Sequence, residues 1–121
     1  MKEAQLTAAG IVIDVIEGNN LNKVFQKYSQ ENKISPKDIS QIKDLVFGTL
    51  RSYGKTKFVI NKLVKRMPSN TLILSLLHVA LFQLISNRSN SYTVVDQAVS
   101  ASNMINKRHT KFVNGVLRSF L

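Results

Sequence analysis

The chain has no cysteine and no tryptophan, and only two prolines and five glycines among 121 residues. The lack of cysteine excludes disulfides, thiolate metal sites and thiol nucleophiles, and it agrees with the cytoplasmic location expected here. Acids are scarce, seven against seventeen Lys and Arg. Only Asp14 and Glu17 stand at a helical i,i+3 spacing, and they fall at a predicted helix end, where solvated carboxylates are expected rather than an acid–base pair. A Gly-rich phosphate loop is missing, as are GxGxxG, HExxH and GxSxG. No catalysis, metal site or cofactor is therefore expected from these residues alone. The opening MKEAQLTAAG has no basic stretch followed by an apolar run, so no signal peptide is expected.

What the chain has in quantity is helical periodicity. The run Thr71–Ser86 (TLILSLLHVALFQLIS) has Leu, Ile, Val, Ala or Phe at eleven of sixteen positions, pointing all round a helix. Such a helix belongs inside a core. It is shorter than the ~20 residues that span a bilayer, so no membrane association is expected. Thr71, Ser75 and His78 share its narrow polar stripe. His78 is read as a core-edge histidine with a hydrogen-bond partner, in preference to a ligand or acid–base group, because no Asp or Glu lies near it in sequence.

The remaining segments arrange themselves around this run. Helix one covers Glu3–Glu17, with Ala4, Ala8, Ile11 and Val15 on one apolar face and Leu6 and Ile13 on a second; Gly10 beside the second allows close approach of another helix. Helix two covers Leu21–Gln30. Ser35-Pro36 starts helix three as N-cap and first-turn proline, with Asp38 suited to the positive end of the dipole. Its apolar face is Ile39, Ile42, Val46, Leu50 and Tyr53, and Gly54 is its expected C-cap. Helix four covers Lys55–Met67, closed by Pro68, with Ile60, Leu63, Val64 and Met67 inward. Helix six covers Ser91–Asn106, with Tyr92, Val95, Ala98, Val99 and Ser102 inward. Helix seven follows Lys107-Arg108, with Phe112, Val113, Val116, Leu117 and Phe120 inward. Seven helices with short connections predict one all-α bundle over 1–121, around the buried helix 71–86.

The net charge of +10 is unevenly placed. Residues 1–45 hold six Lys and six acids; residues 46–121 hold eleven Lys or Arg and Asp96 alone. A basic half beside a neutral half points to a polyanion, most often nucleic acid. Helix four is expected to carry Lys55, Phe58, Lys62, Lys65 and Arg66 on one stripe, and helix seven with its turn to carry Lys107, Arg108, Lys111 and Arg118. The cations would neutralise phosphates, and Phe58 could stack on an unpaired base. Gly115, among the cations of helix seven, would let a phosphate backbone come near, or would serve helix packing.

The run VFGTLRSYGKTKFVINKLVKRMPSNT from Val46 to Thr71, then LLHVALFQLI and FVNGVLRSF, resembles the NusB-type helical domain. Within that superfamily it is more similar to the N-terminal domain of bacterial 16S ribosomal RNA cytosine-5 methyltransferases (the Sun/Fmu type) than to the antitermination factors. The grounds are Phe47-Gly48-Thr49-Leu50-Arg51, Ile60-Asn61-Lys62-Leu63, and the closing Asn114-Gly115-Val116-Leu117-Arg118, where antitermination factors usually have an acid after the Leu. Val94–Val99 also fits helix six of the superfamily. The resemblance implies seven helices in two subdomains and an RNA-binding role. The Arg-rich N-terminus general in NusB proteins is not matched by MKEAQLTAAG. The methyltransferases carry their catalytic cysteines and S-adenosylmethionine site in a later domain, so none of those residues carries over. The chain is then either part of a longer methyltransferase or a stand-alone relative.

Three functions follow, in order of preference. The first is an RNA-binding accessory domain that positions 16S ribosomal RNA for a catalytic methyltransferase domain. The second is an antitermination factor that binds RNA together with a partner protein. The third is a protein-interaction module, docking a catalytic domain or forming a homodimer, with the charge serving solubility.

Overall fold

The computed structural model describes residues 2–32, 34–87 and 89–121. Among them run seven α-helices and no strand: α1 (Lys2–Ile16), α2 (Leu21–Asn32), α3 (Pro36–Arg51), α4 (Tyr53–Leu63), α5 (Thr71–Ser86), α6 (Ser91–Ile105) and α7 (Thr110–Phe120), with a 3₁₀ turn, Lys107–His109, before the last. The expected all-α bundle is the observed one. Among the described residues no helix is long and apolar enough to cross a membrane.

Local chemistry sets most of the boundaries. Gly18 ends α1 at φ +104°, a conformation L side chains rarely adopt. The Ser35 hydroxyl accepts from the Asp38 amide, with Pro36 following. Asn70 and Asn90 each accept two amide bonds at the starts of α5 and α6. Asn87, left-handed at φ 54°, closes α5.

The centre is α5, whose apolar surface does supply two cores. Leu76 and Val79 join α1, α2 and α3 in a first cluster built on Ala8, Ile11, Val12, Phe25, Ile42 and Val46. Ile73, Leu77, Ala80, Leu81 and Leu84 join α4, α6 and α7 in a second, built on Ile60, Val95, Ala98, Val113 and Leu117. Buried hydrogen bonds tie the two parts. Gln5 Nε2 of α1 donates to Gln83 Oε1 of α5 at 2.8 Å and to the Val94 carbonyl of α6 at 3.3 Å. The Ser75 hydroxyl donates to the Ala9 carbonyl at 2.7 Å. Close approach at Gly10 is as expected: a Cβ there would lie 2.7 Å from the Tyr28 hydroxyl oxygen. That phenol has its pKa raised, first by burial and then by the Asp14 carboxylate.

Four expectations need correction. The third helix stops at Arg51, and Tyr53 and Gly54 belong to α4. The break falls at Ser52, whose φ −97° and ψ 8° any residue can adopt, so no capping glycine is required. The fourth helix ends at Leu63, not Met67: Val64 is extended (φ −111°, ψ 120°) and buries its side chain in the second core. Met67, beyond that break, is 41 % exposed rather than inward. Tyr92 is 70 % exposed in the first turn of α6, because the buried face is carried by Val94, Val95, Ala98, Ala101 and Ser102.

Candidate nucleic-acid interface

The early end of α4 decides where the cations lie. Lys55, Phe58 and Lys62 remain on one helical face, but Lys65 and Arg66 leave the helix and sit in the connection to α5. The single five-residue stripe is therefore two groups. On α4, Phe58 is 63 % exposed and Lys62 Nζ stands 5.3 Å from its ring centroid, a cation–π arrangement. Off the helix, Lys65 and Arg66 face α7 and line an open groove with Lys111. The floor of that groove is apolar, made by Leu63, Val64, Phe112 and Val116, and Gly115 forms part of the α7 wall.

Lys111 also borders a second hollow, shared with Arg118 and Asp96. Arg118 is held there, its Nε donating to Asn114 Oδ1 at 2.8 Å. Lys107 and Arg108 are exposed in the 3₁₀ turn, which is fixed by Asn106 accepting from the Arg108 amide at 3.0 Å. Neither lines the two hollows. Of the nine residues named from the sequence, the structure thus gathers Lys65, Arg66 and Lys111 around one groove, and Lys111 and Arg118 around its neighbour. Lys55, Phe58 and Lys62 stand apart on α4. The apolar floor was invisible in sequence, because a helix continued through Val64 would have given it no role beyond the core.

His78 has the structural character expected of it. It is buried in the middle of α5, its ring stacked on Tyr53 at 3.9 Å with 11° between the planes. Its Nδ1 lies 2.6 Å from the Thr56 hydroxyl oxygen, and that hydroxyl reaches the Tyr53 carbonyl at 3.1 Å. One hydroxyl hydrogen serves one acceptor, so Thr56 donates either to the Tyr53 carbonyl, accepting from Nδ1–H, or to an unprotonated Nδ1. Burial lowers the His78 pKa from 6.5 to about 4, with the Lys57 charge adding to the effect. A histidine neutral down to that pH holds the helices together and does not contribute charge to the basic surface. Lys57, not singled out in the sequence, acts on His78 through this field.

Among the described residues no group of three His, Asp or Glu side chains is placed to hold a metal ion. An apolar hollow of about 140 Å³ opens between Ile13, Ile16, Leu74 and Tyr53, with Glu17 and Thr71 at its edge. It is smaller than the ~300–1,000 Å³ usual for small-molecule sites and does not fit a nucleoside cofactor. The arrangement offers cations, an exposed aromatic and an apolar floor, groups of the kind that contacts to polyanions use.

Residues 2–121 match a family model described as the NusB family. The chain is 32 % identical over 117 residues to the ribosomal RNA small subunit methyltransferase B of Klebsiella pneumoniae, covering 93 % of this chain and 27 % of that protein. The protein of the same name from Citrobacter koseri gives the same figures, and that of Salmonella enteritidis is 29 % identical over 118 residues. The match lies in their N-terminal region, so the chain spans about a quarter of the length of the curated relatives it matches.

Proposed function

Because the chain belongs to the NusB family, we propose that it is an RNA-binding accessory domain that holds 16S ribosomal RNA for a cytosine-5 methyltransferase. The likeness to the N-terminal region of ribosomal RNA small subunit methyltransferase B supports the class of parent activity. The observation that carries the RNA reading is the groove that collects Lys65, Arg66 and Lys111 in the basic half of the chain. Three cations around one groove can neutralise neighbouring phosphates and release their counterions. In this reading the catalytic cysteines and S-adenosylmethionine belong to another domain of the parent protein, and this domain contributes grip and placement.

The test is fluorescence anisotropy of a labelled 16S ribosomal RNA fragment over a range of salt. Affinity should fall with salt, with a log–log slope of about −0.7 to −0.9 for each phosphate contacted. The double variant Lys65→Glu, Arg66→Glu should weaken binding and flatten that slope by roughly 1.4–1.8. Affinity that does not respond to salt overturns the reading. The NusB family match supports one further reading as well: an antitermination factor acting with a partner protein. Recovery of a small ribosomal protein with the purified chain, together with RNA binding that requires it, would select that reading instead.

A further inference from the structure

We infer that the groove between α2 and α3 receives an extended peptide segment of a partner protein, one that carries an apolar side chain and, two residues from it, a carboxylate. The inference does not depend on the RNA-binding reading, and its groove lies apart from Lys65, Arg66 and Lys111.

Two rows of side chains wall this groove. Asn22, Gln26 and Gln30 follow one another at i, i+4, i+8 along α2, and Ile39, Lys43 and Phe47 do the same along α3. Residues four apart share a helical face, so each row is an edge about 12 Å long. The hollow measures about 550 Å³, inside the ~300–1,000 Å³ range of ligand sites. The adjoining row of α2 holds its charges: Lys23, Lys27 and Glu31 are exposed at the same spacing, and none of them lines the groove. Packing α2 on the core requires only that its outer side be polar. It does not require that every charge stand one row away from the groove.

A carboxamide both donates and accepts, as a peptide group does. Among the described residues Asn22, Gln26 and Gln30 have no hydrogen-bond partner within the fold. Three in a row can hold the N–H and C=O groups of a main chain laid beside them. A helical partner satisfies those groups itself, whereas an extended one leaves them free. At ~3.3 Å per residue, a 12 Å edge takes about four residues. A phosphate backbone is poorly matched, because Lys43 is the one cation in the lining.

The α3 row sets the sequence of the segment. Phe47 is 44 % exposed, and its ring centroid lies 6.2 Å from that of Phe25, which gives an apolar side chain an aromatic seat. Lys43 Nζ stands 5.8 Å from the Phe25 centroid, and no acid lines the groove. Side chains two apart on one face of an extended chain are separated by about 6–7 Å, which matches the spacing of seat and cation. A second copy of this chain does not supply the missing carboxylate: a two-fold contact sets the groove against itself, and it contains no acid.

The experiment titrates the isotope-labelled 121-residue chain with acetyl-Thr-Phe-Thr-Asp-Thr-amide and follows backbone amide shifts by NMR. The threonines keep the probe soluble and extended. Saturable shifts confined to α2 and α3 are expected, with Kd of about 1 mM or tighter. Replacing the aspartate of the probe by lysine should weaken binding about threefold, and Lys43→Glu should reverse that preference. Phe47→Ser, or N-methylation of the central threonine, should each weaken binding about fivefold. Lys65→Glu, Arg66→Glu should leave peptide binding unchanged; a loss there places the peptide elsewhere and overturns the inference. No saturable shift in α2 or α3 up to about 10 mM peptide also overturns it, as does a charge preference that Lys43→Glu fails to reverse. Concentration-dependent dimerisation that Phe47→Ser abolishes gives the groove to a second copy, and shifts at Asn22, Gln26 and Gln30 on adding single-stranded RNA give it to nucleic acid. Either result overturns the assignment to a peptide.

Discussion

Alanine in place of Gly48 should destabilise this protein, against the usual direction of a glycine-to-alanine change inside a helix. Gly48 is buried in α3, and the space its Cβ would occupy is filled by the Phe82 ring of α5. Its backbone is helical, so alanine by itself would contribute about 1 kcal/mol of helix propensity. Opposed to this is overpacking of a well-filled core, which costs about 1–3 kcal/mol. The obstructing group is a rigid ring wedged between two helices, with no flexible tip to swing aside, so the upper part of that range applies. The difference is a net loss of about 1–2 kcal/mol. With an unfolding entropy of roughly 2.1 cal/mol/K per residue, the melting temperature should fall by about 4–8 °C. Thermal unfolding followed by far-ultraviolet circular dichroism reads this directly. A second substitution, Phe82→Leu, should recover part of the loss in the Gly48→Ala background while costing stability on its own, which is the coupling expected of touching groups. A Gly48→Ala protein that melts at or above the parent temperature refutes the reasoning.

His78 gives a pH prediction. Its folded pKa is lowered from 6.5 to about 4, so between those values the unfolded chain binds more protons than the folded one. The stability of the neutral imidazole is complete above about pH 6.5, is lost as pH falls, and levels off near 3 kcal/mol of loss below about pH 4. Urea unfolding at pH 7 and pH 4 should show a smaller difference for His78→Gln than for the parent, and equal differences would contradict the buried neutral ring. Thr56→Val removes the hydroxyl between His78 Nδ1 and the Tyr53 carbonyl, and should cost about 1–3 kcal/mol in the same assay. Gln83→Leu takes away the side-chain partner of Gln5 and should cost a similar amount, about 1–3 kcal/mol. The double variant Gln5→Leu, Gln83→Leu should be more stable than the sum of the two single losses, since no buried amide then loses its partner.

What could be read from the residues was whatever their near neighbours decide. The limits of α5 follow from a mostly apolar run without proline or glycine between Asn70 and Asn87, and the start of α3 from Ser35-Pro36. The inner face of α7 follows from spacing alone, with Val113, Val116 and Leu117 buried as expected. The failures occur where a distant partner decides. Gln5 and Gln83 are polar yet buried, because Gln5 Nε2 donates to Gln83 Oε1 across 78 positions of sequence, while Gln5 Oε1 stays without a partner. Nothing in Leu50-Arg51-Ser52-Tyr53 breaks a helix strongly, and the turn there is set by how α3 and α4 pack on α5. Pro68 suggested a helix running up to it, whereas Val64 leaves the helix four residues sooner to bury its side chain. The candidate site inherits that error: every cation in it was visible, but its grouping depends on where α4 stops.

The uneven charge of the chain and its divided core are one division. The first cluster draws mainly on residues 4–46, whose Lys and acids nearly balance. The second lies within residues 60–117, in the half that holds eleven cations and one acid. The helix between them, α5, has no charged residue and lends side chains to both. The basic surface is therefore the outside of one cluster only. That one acid, Asp96, borders the hollow on the Arg118 side of Lys111, while Lys65 and Arg66 lie on the other. A phosphate near Arg118 meets a carboxylate as well as cations, whereas one near Arg66 meets cations alone. In the RNA-binding reading, phosphates should accordingly be held most tightly at the Lys65–Arg66 end of the groove. The cations of the groove are exposed and the residues beneath them are core, so substitutions at Lys65 and Arg66 should change RNA affinity and leave stability nearly unchanged.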